Sequence, residues 1–443
     1  MANSYLNRTT GGSPTGATTW TYSAWLKRSS LSTSSSQKFF GAGSGSSDRT
    51  EFYLAGDSTF AIYKDVSGSS VNLASTRRFR DTNAWYHFVV QNNNGTVTVY
   101  VNNETVSLSG SNLGTNKINN ASTAHYIGQQ VAGGQFFDGY MSHVALVDGS
   151  IVAPTVFGET DSTSGIWKFK SPTGVTWGNN GFHLKFENSG ALGTDSAGSN
   201  NWTVNGNLKQ AVDNPSNVYA TINPLSGYHG DKAVLEYGNN QLKSSTGGGA
   251  QWYGASTLAF TKGKFYCEVK NITTSNASLA VGISMNPARN QYENHSAGRR
   301  GTDIATENYS GNIVIANSNV AVGYMPTWSG SGDICMLAVD ADNNKFYIGK
   351  NGTWADSDNP SNGTGGYDMS SVANHSESTG FYHFSFGSTS SSYMNSFSVN
   401  FGNGLFGITP ITSAGSNGNG SLFEYDVPSG FYALNTKNLN TYG

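Results

Sequence analysis

Five loop-like segments carry aromatic residues beside Asn, Asp, Ser and Gly, a combination suited to saccharide binding. An aromatic ring packs on the apolar face of a sugar, while nearby amides and carboxylates hydrogen-bond its hydroxyls. Small polar neighbours favour exposed rings, so we predict a glycan-binding site that draws on Trp252, Tyr253, Tyr292, Tyr309, Trp328 and Trp354. The alternative for each tryptophan is a place at the edge of a hydrophobic core, because tryptophan is highly buried on average.

Metal-binding patterns are weak in this sequence. The eight histidines stand singly, and neither His-x-x-x-His nor Cys-x-x-Cys occurs, which argues against zinc. Asp340-x-Asp342-x-Asn344 imitates the start of a calcium-binding EF-hand loop. However, Lys345 occupies the sixth position, where the loop needs glycine, and Asn351 occupies the twelfth, where it needs glutamate. We therefore predict a hairpin turn there.

Motifs for nucleophilic catalysis and phosphate binding are absent. Neither Gly-x-Ser-x-Gly nor Gly-x-x-x-x-Gly-Lys-Ser/Thr occurs in the sequence. A Gly-x-Gly-x-x-Gly pattern spans Gly402 to Gly407, but it should open a helix, and Pro410 follows at once. We interpret it as a chance match in a glycine-rich chain.

The composition describes a folded chain that is poor in charge. Aromatic residues make up 12% of the 443 residues and charged residues also 12%, against about 25% charged in typical domains. The net charge of −3 argues against nucleic-acid binding, which needs a basic excess. Apolar runs reach only about six residues, too short for the roughly 20 of a membrane helix, so no membrane insertion is expected. No signal peptide is visible at the N-terminus, and Cys267 and Cys335 are expected to be buried free thiols.

Strand patterns dominate the sequence and predict an all-β protein. Short runs rich in Val, Ile, Phe, Tyr and Thr alternate with turn residues every eight to twelve positions or so, as in a sandwich. The similar segments 87–103 and 336–352 each predict strands joined by Asn-containing turns, one in each half of the chain. The prediction is two sandwich domains in tandem, 1–165 and 226–443, with closing strands and a connector over 166–225.

Both halves resemble known domain families. Trp20-Thr-Tyr-Ser-Ala-Trp-Leu-Lys-Arg28, Val97-Thr-Val-Tyr-Val-Asn102 and Phe137-Asp-Gly-Tyr-Met-Ser-His-Val144 resemble laminin-G-like, concanavalin A-like lectin domains over about 1–165. Gly263-Lys-Phe-Tyr-Cys-Glu-Val269 and Lys345-Phe-Tyr-Ile-Gly-Lys-Asn-Gly352 resemble a SPRY domain over about 230–405. The resemblances imply two concanavalin A-like β-sandwiches, or jelly rolls, in tandem.

The C-terminal segment Pro428-Ser-Gly-Phe-Tyr-Ala-Leu-Asn-Thr-Lys-Asn-Leu439 resembles the ending of virion structural proteins of marine, cyanophage-like bacteriophages. This resemblance implies a tail-fibre or tail-tip protein on the virion surface, made in the host cytoplasm. Such a protein binds host surface glycans for adsorption, contacts other virion proteins and forms a homo-oligomer. A capsid decoration or baseplate subunit is the alternative. The sequence shows no repetitive shaft, so a compact knob, tip or decoration subunit fits better than a long fibre.

Relatives of the lectin-like fold also include glycanases, which carry Glu-x-Asp-x-x-Glu on one strand. No glutamate of this sequence begins that motif, so we expect no enzymatic activity, with a polysaccharide depolymerase as the less favoured alternative. Laminin-G-like domains sometimes bind calcium at a sandwich rim. The loop Asp195-Ser-Ala-Gly-Ser-Asn-Asn offers oxygen ligands and is a weak candidate for such a site; no other cofactor is expected.

Overall fold

The chain folds into two units, Met1–Gln210 (unit 1) and Ala211–Gly443 (unit 2), each with its own sheets and core. The computed structural model describes residues 3–31, 35–225, 233–244, 252–273, 279–288, 297–388 and 396–443. Segment 166–225, predicted to hold closing strands and a connector, is thus divided between the units. Residues 166–210 lie in unit 1 and residues 211–225 in unit 2.

The regular secondary structure of unit 1 is almost entirely β-strand. Its strands are β1 (Tyr5–Thr9), β2 (Thr19–Arg28), β3 (Gln37–Gly45), β4 (Asp48–Leu54), β5 (Thr59–Val66), β6 (Ser69–Arg78), β7 (Trp85–Asn93), β8 (Thr96–Val101), β9 (Glu104–Thr105), β10 (Ala124–Ile127), β11 (Gly139–Asp148), β12 (Gly158–Thr160), β13 (Trp167–Phe169), β14 (Phe182–Leu184) and β15 (Thr203–Asn205). One 3-10 turn, Pro154–Val156, precedes β12.

Two antiparallel sheets of unit 1 enclose its hydrophobic core. The seven-stranded sheet has the order β15-β1-β10-β3-β4-β5-β6, and the six-stranded sheet has the order β14-β11-β2-β7-β8-β9. Alternation along the strands sends rings such as Trp20, Phe52 and Phe88 inward, where they are fully buried. Hairpin β12–β13 forms a separate two-stranded sheet.

Unit 2 is also a β-sandwich. Its strands are β16 (Ala233–Glu236), β17 (Gln241–Ser244), β18 (Tyr253–Ala255), β19 (Lys264–Asn271), β20 (Leu279–Ser284), β21 (Asp303–Glu307), β22 (Ile313–Ile315), β23 (Ser318–Ala321), β24 (Ile334–Asp340), β25 (Lys345–Lys350), β26 (Thr353–Trp354), β27 (Tyr367–Asp368), β28 (His383–Ser388), β29 (Ser396–Asn400), β30 (Leu405–Phe406), β31 (Thr409–Pro410) and β32 (Tyr432–Ala433). The helices are α1 (Ser370–Ala373) and α2 (Thr436–Tyr442), with 3-10 turns at Ala355–Ser357 and Pro360–Asn362.

The larger sheet of unit 2 runs β16-β17-β29-β19-β24-β25-β26, with β27 paired to β25 and β32 paired to β19. The smaller runs β18-β28-β20-β21-β22-β23. Cys267 and Cys335 are buried free thiols in the core between them, as predicted. The prediction of an all-β protein with two tandem jelly rolls is confirmed.

Both predicted hairpin segments form as expected. Segment 87–103 contains β7 and β8, and segment 336–352 contains β24 and β25. Their turns hold Asn94, Asn102, Asn344 and Asn351 at positive φ, a conformation that asparagine tolerates better than most residues. Within the described part of the chain, no helix has the length and apolar character needed to cross a membrane.

Candidate functional site

Trp354 lies at the edge of the larger sheet of unit 2. The turn after β25 contains Asn351 and Gly352, both at positive φ, and it leads directly into Trp354. The indole is half-buried, and its ring stands edge-to-face to Tyr266 with 6.3 Å between the centroids. The ring of Trp354 is therefore partly accessible, as predicted, but the residue lies in the short edge strand β26 rather than in a loop and packs against a buried cluster that includes Tyr266.

The 3-10 turn after Trp354 carries two residues in strained conformations. Asp356 has φ 46° and Ser357 has φ 62°, and both side chains are exposed. Consecutive non-glycine residues at positive φ cost conformational energy, and such strain concentrates at ligand-binding and catalytic sites. The turn ends at Asp358, whose side chain is buried.

Asp358 is hydrogen-bonded to Tyr324, and the ring of Tyr324 in turn packs against Tyr367. Tyr324 donates its hydroxyl hydrogen to Oδ2 of Asp358 at 3.0 Å, and Oδ1 accepts the backbone N–H of Gly366 at 2.7 Å. The rings of Tyr324 and Tyr367 are nearly perpendicular, with centroids 6.2 Å apart, and both are half-buried. Burial raises the pKa of Asp358 above its ordinary value. We call Tyr324, Trp354, Asp356, Asp358 and Tyr367 the turn site.

Three of the predicted aromatic rings belong to buried layers. Trp252, Tyr253 and Trp328 are at most 1% exposed, so the expectation that these rings are accessible is corrected. Trp252 stacks on Phe397 in the core, and Trp328 is buried in the same core. Tyr253 lies instead among small buried residues on the opposite side of its sheet. Loop-like neighbours therefore did not keep these rings in solvent.

The two remaining aromatic candidates are Tyr309 and Tyr292. Tyr309 is 48% exposed in the turn between β21 and β22, so an accessible ring is observed there. Tyr292 lies outside the described residues. Of the five predicted aromatic residues that the structure describes, Trp354 alone belongs to the turn site.

Asp195 uses its carboxylate to close its own loop. Its Oδ1 accepts the backbone N–H groups of His183 and Ala197 at 2.9 and 2.8 Å, and its Oδ2 accepts that of Asn200 at 3.0 Å. Backbone donors thus point at both oxygens of the Asp195 carboxylate. In the part of the chain that the structure describes, no cluster of three or more His, Cys, Asp or Glu side chains could hold a metal ion.

The calcium-like sequence at 340–344 forms the predicted hairpin turn. Asp340 pairs with Lys264 at 2.8 Å and accepts the side-chain amide of Asn343 at 2.9 Å. Asp342 accepts the backbone N–H of Gly263 at 2.9 Å. Both carboxylates thus stabilise the hairpin.

Unit 1 contains a layer of histidines and aromatic rings that the sequence did not predict. His87 stacks on Trp25 with centroids 4.6 Å apart, and its Nδ1 accepts the indole N–H of Trp167 at 3.1 Å. Nε2 must then carry the imidazole hydrogen, which it donates to Oγ of Ser23 at 2.8 Å. A histidine in this tautomer cannot remove the proton of Ser23, so the pair is not arranged as a nucleophile with its base.

The layer continues across β11 and β14. His143 lies at a bulge in β11 and has a φ of 48°. Its ring stacks on Phe169 with 3.4 Å between the centroids, and its Nδ1 lies 3.3 Å from Nε2 of His183. Burial lowers the pKa of His143 to about 3 and that of His183 to about 4. Alternation along β7 and β11 places His87 and His143 on the face of the sheet that points away from the core, and this was the signal that the sequence offered for the layer. The alternation does not show which segment of the chain covers that face.

Comparison with known families finds a match for the N-terminal part of the chain. Residues 2–157 match the laminin G family model described as the concanavalin A-like lectin/glucanases superfamily. No curated protein matches the sequence.

Several solved structures show a limited similarity to this chain, at low identity. The SPRY domain of human HERC1 is 17% identical, with a TM-score of 0.30 over 40% of this chain and 96% of that chain. Another human SPRY domain is 14% identical, with a TM-score of 0.27 over 38% of this chain and 94% of that chain. A heptameric SAP-like pentraxin from Limulus polyphemus is 15% identical, with a TM-score of 0.29 over 40% of this chain and 82% of that chain. Residues 2–157 of unit 1 are thus similar to the concanavalin A-like, laminin-G-like domains of that family model.

Proposed function

We propose that this chain is a glycan-binding protein that acts without covalent chemistry on the surface of a bacteriophage virion, where it adsorbs to the host. The turn site carries the proposal, because half-buried aromatic rings stand there beside a hydrogen-bonded carboxylate. Saccharide sites combine such rings with a few fixed polar groups. The match of residues 2–157 to the concanavalin A-like lectin/glucanases superfamily lies in unit 1 and supports saccharide recognition by the chain. The absence of the glycanase motif from the sequence supports an action without covalent chemistry.

Binding of saccharides by the purified full chain tests the first part of the proposal. We expect glycan-array binding that Trp354→Ala and Tyr367→Ala each weaken by at least about tenfold, since central aromatic contacts dominate binding energy. Tyr126→Ala, which removes a half-buried ring in unit 1, serves as the matched control and should bind normally. If no saccharide is bound, or if the two variants bind as well as the parent, glycan binding at the turn site is wrong.

The location in the particle tests the second part. Immunogold labelling of intact virions with antibody against the chain should place gold at the tail end, where adsorption takes place. Gold spread over the head would favour a capsid decoration subunit, whose low charge content of 12% suits packing on other virion proteins. Unlabelled particles would contradict both locations.

A further inference from the structure

Resting on the proposed glycan binding, we propose that the turn site takes a saccharide bearing a positively charged amino group and discriminates against acidic saccharides. Carboxylates outnumber ammonium groups in and around the turn site. Asp356, Asp358 and Asp368 contribute three carboxylates, and Lys345 contributes one ammonium. Lys345 lies opposite Asp368 in the β25–β27 register, so the surroundings of the two tyrosines keep a negative excess.

Lys345 does not neutralise Asp358 by direct contact. Its Nζ donates to the backbone oxygen of Gly366 at 3.3 Å. Within the described part of unit 2, the Asp358 oxygens accept hydrogen bonds from the neutral donors Tyr324 and Gly366. Since a buried charge is normally matched by an opposite one, Asp358 is better complemented by a ligand cation than by a further neutral hydroxyl.

The aromatic part of the site favours the same charge. The rings of Tyr324 and Tyr367 stand at 83° to each other beside this carboxylate. Aromatic faces carry negative potential and attract an ammonium within about 6 Å of the ring centroid. A ring pair next to a carboxylate therefore attracts an amine by two independent effects, and both of them repel a uronate.

Asp356 supplies an exposed charge that can be changed without refolding the turn. Its φ of 46° lies in the left-handed region, which asparagine occupies readily, so Asp356→Asn keeps the backbone and removes one charge. Glu377→Gln removes the same charge from another exposed position of unit 2 and is the matched control.

The test compares three oligosaccharides of equal length by calorimetry with the full chain: β-1,4-linked glucosamine, its N-acetylated form and galacturonic acid. We expect the amine to bind about tenfold more tightly than the acetylated form in dilute buffer, as two nearby carboxylates would produce at the surface. Added salt should reduce this preference, because it screens exposed charges. Asp356→Asn should reduce the preference about threefold, and Glu377→Gln should leave it unchanged.

The outcomes separate this inference from the proposed function. Equal binding of the amine and its acetylated form, still lost in Trp354→Ala, would overturn the charge preference and leave glycan binding intact. Tighter binding of galacturonic acid would overturn it as well. Failure of all three oligosaccharides and of the glycan array would overturn the proposed function together with this inference.

Discussion

Trp167 donates its indole N–H to Nδ1 of His87 across 3.1 Å, and this bond joins hairpin β12–β13 to strand β7. Within the hairpin, Gly158 of β12 lies directly against the indole ring of Trp167. A Cβ at position 158 would lie 2.4 Å from that ring, so only glycine fits there. Burial is the main cause that lowers the pKa of His87 from 6.5 to about 3, and the nearby His143 adds to it.

Acid should destabilise unit 1 through this histidine. A pKa that is depressed in the folded state gives stability that is present above about pH 6.5 and lost as the pH falls towards 3, because the unfolded chain binds the proton first. His87→Gln should remove about one proton from the uptake on unfolding in this range. Urea unfolding at several pH values measures it, and an unchanged pH slope would contradict the assignment.

Glu268 should give the stability of unit 2 the opposite dependence on pH. Its carboxylate is buried, and burial raises its pKa from 4.5 to about 7, although the backbone N–H groups of Glu424 and Tyr425 donate to it. A raised pKa favours the folded state below about pH 4.5, and this contribution is lost as the pH rises to 7. We expect Glu268→Gln to flatten the unfolding free energy of unit 2 between these values; a slope equal to that of the parent would exclude Glu268 as its source.

Trp328 and Trp354 should respond differently to truncation. Trp328 is fully buried, so Trp328→Ala should lower the unfolding free energy by about 3–5 kcal/mol through lost burial and a cavity. Trp354 is only half-buried, and Trp354→Ala should cost less than about half of that. Denaturant midpoints measure both effects. Equal losses would show that Trp354 is a core residue and not a contact surface.

The two units should fold separately when the chain is divided after Gln210. Fragments 1–210 and 211–443 should each unfold in one cooperative transition, because each contains a complete core. Division after residue 225 should damage the second fragment, since it removes the fully buried Ala220 and Ile222. Calorimetry on the four fragments tests this, and equal stability of 211–443 and 226–443 would contradict it.

Local patterns in the sequence predicted the strands, the hairpins and the partly accessible ring of Trp354. They did not predict the turn site as a whole, because Tyr324 reaches Asp358 from 34 residues earlier in the chain and Tyr367 packs on Tyr324 only after β27 has paired with β25. The burial of Trp328 was missed for a related reason. The polar neighbours of Trp328 in the sequence predict a loop, but the exposure of its ring depends on the core onto which that loop packs.

In both units the first and last segments lie side by side. β1 pairs with β15 in unit 1, and in unit 2 the N–H of Ala220 donates to the backbone oxygen of Leu434 at 2.9 Å. During synthesis, unit 1 can close once residue 205 has left the ribosome, whereas unit 2 must wait for residue 434, more than 200 residues after Ala220. Adjacent ends also mean that either unit could be inserted into a loop of another protein without pulling that loop apart.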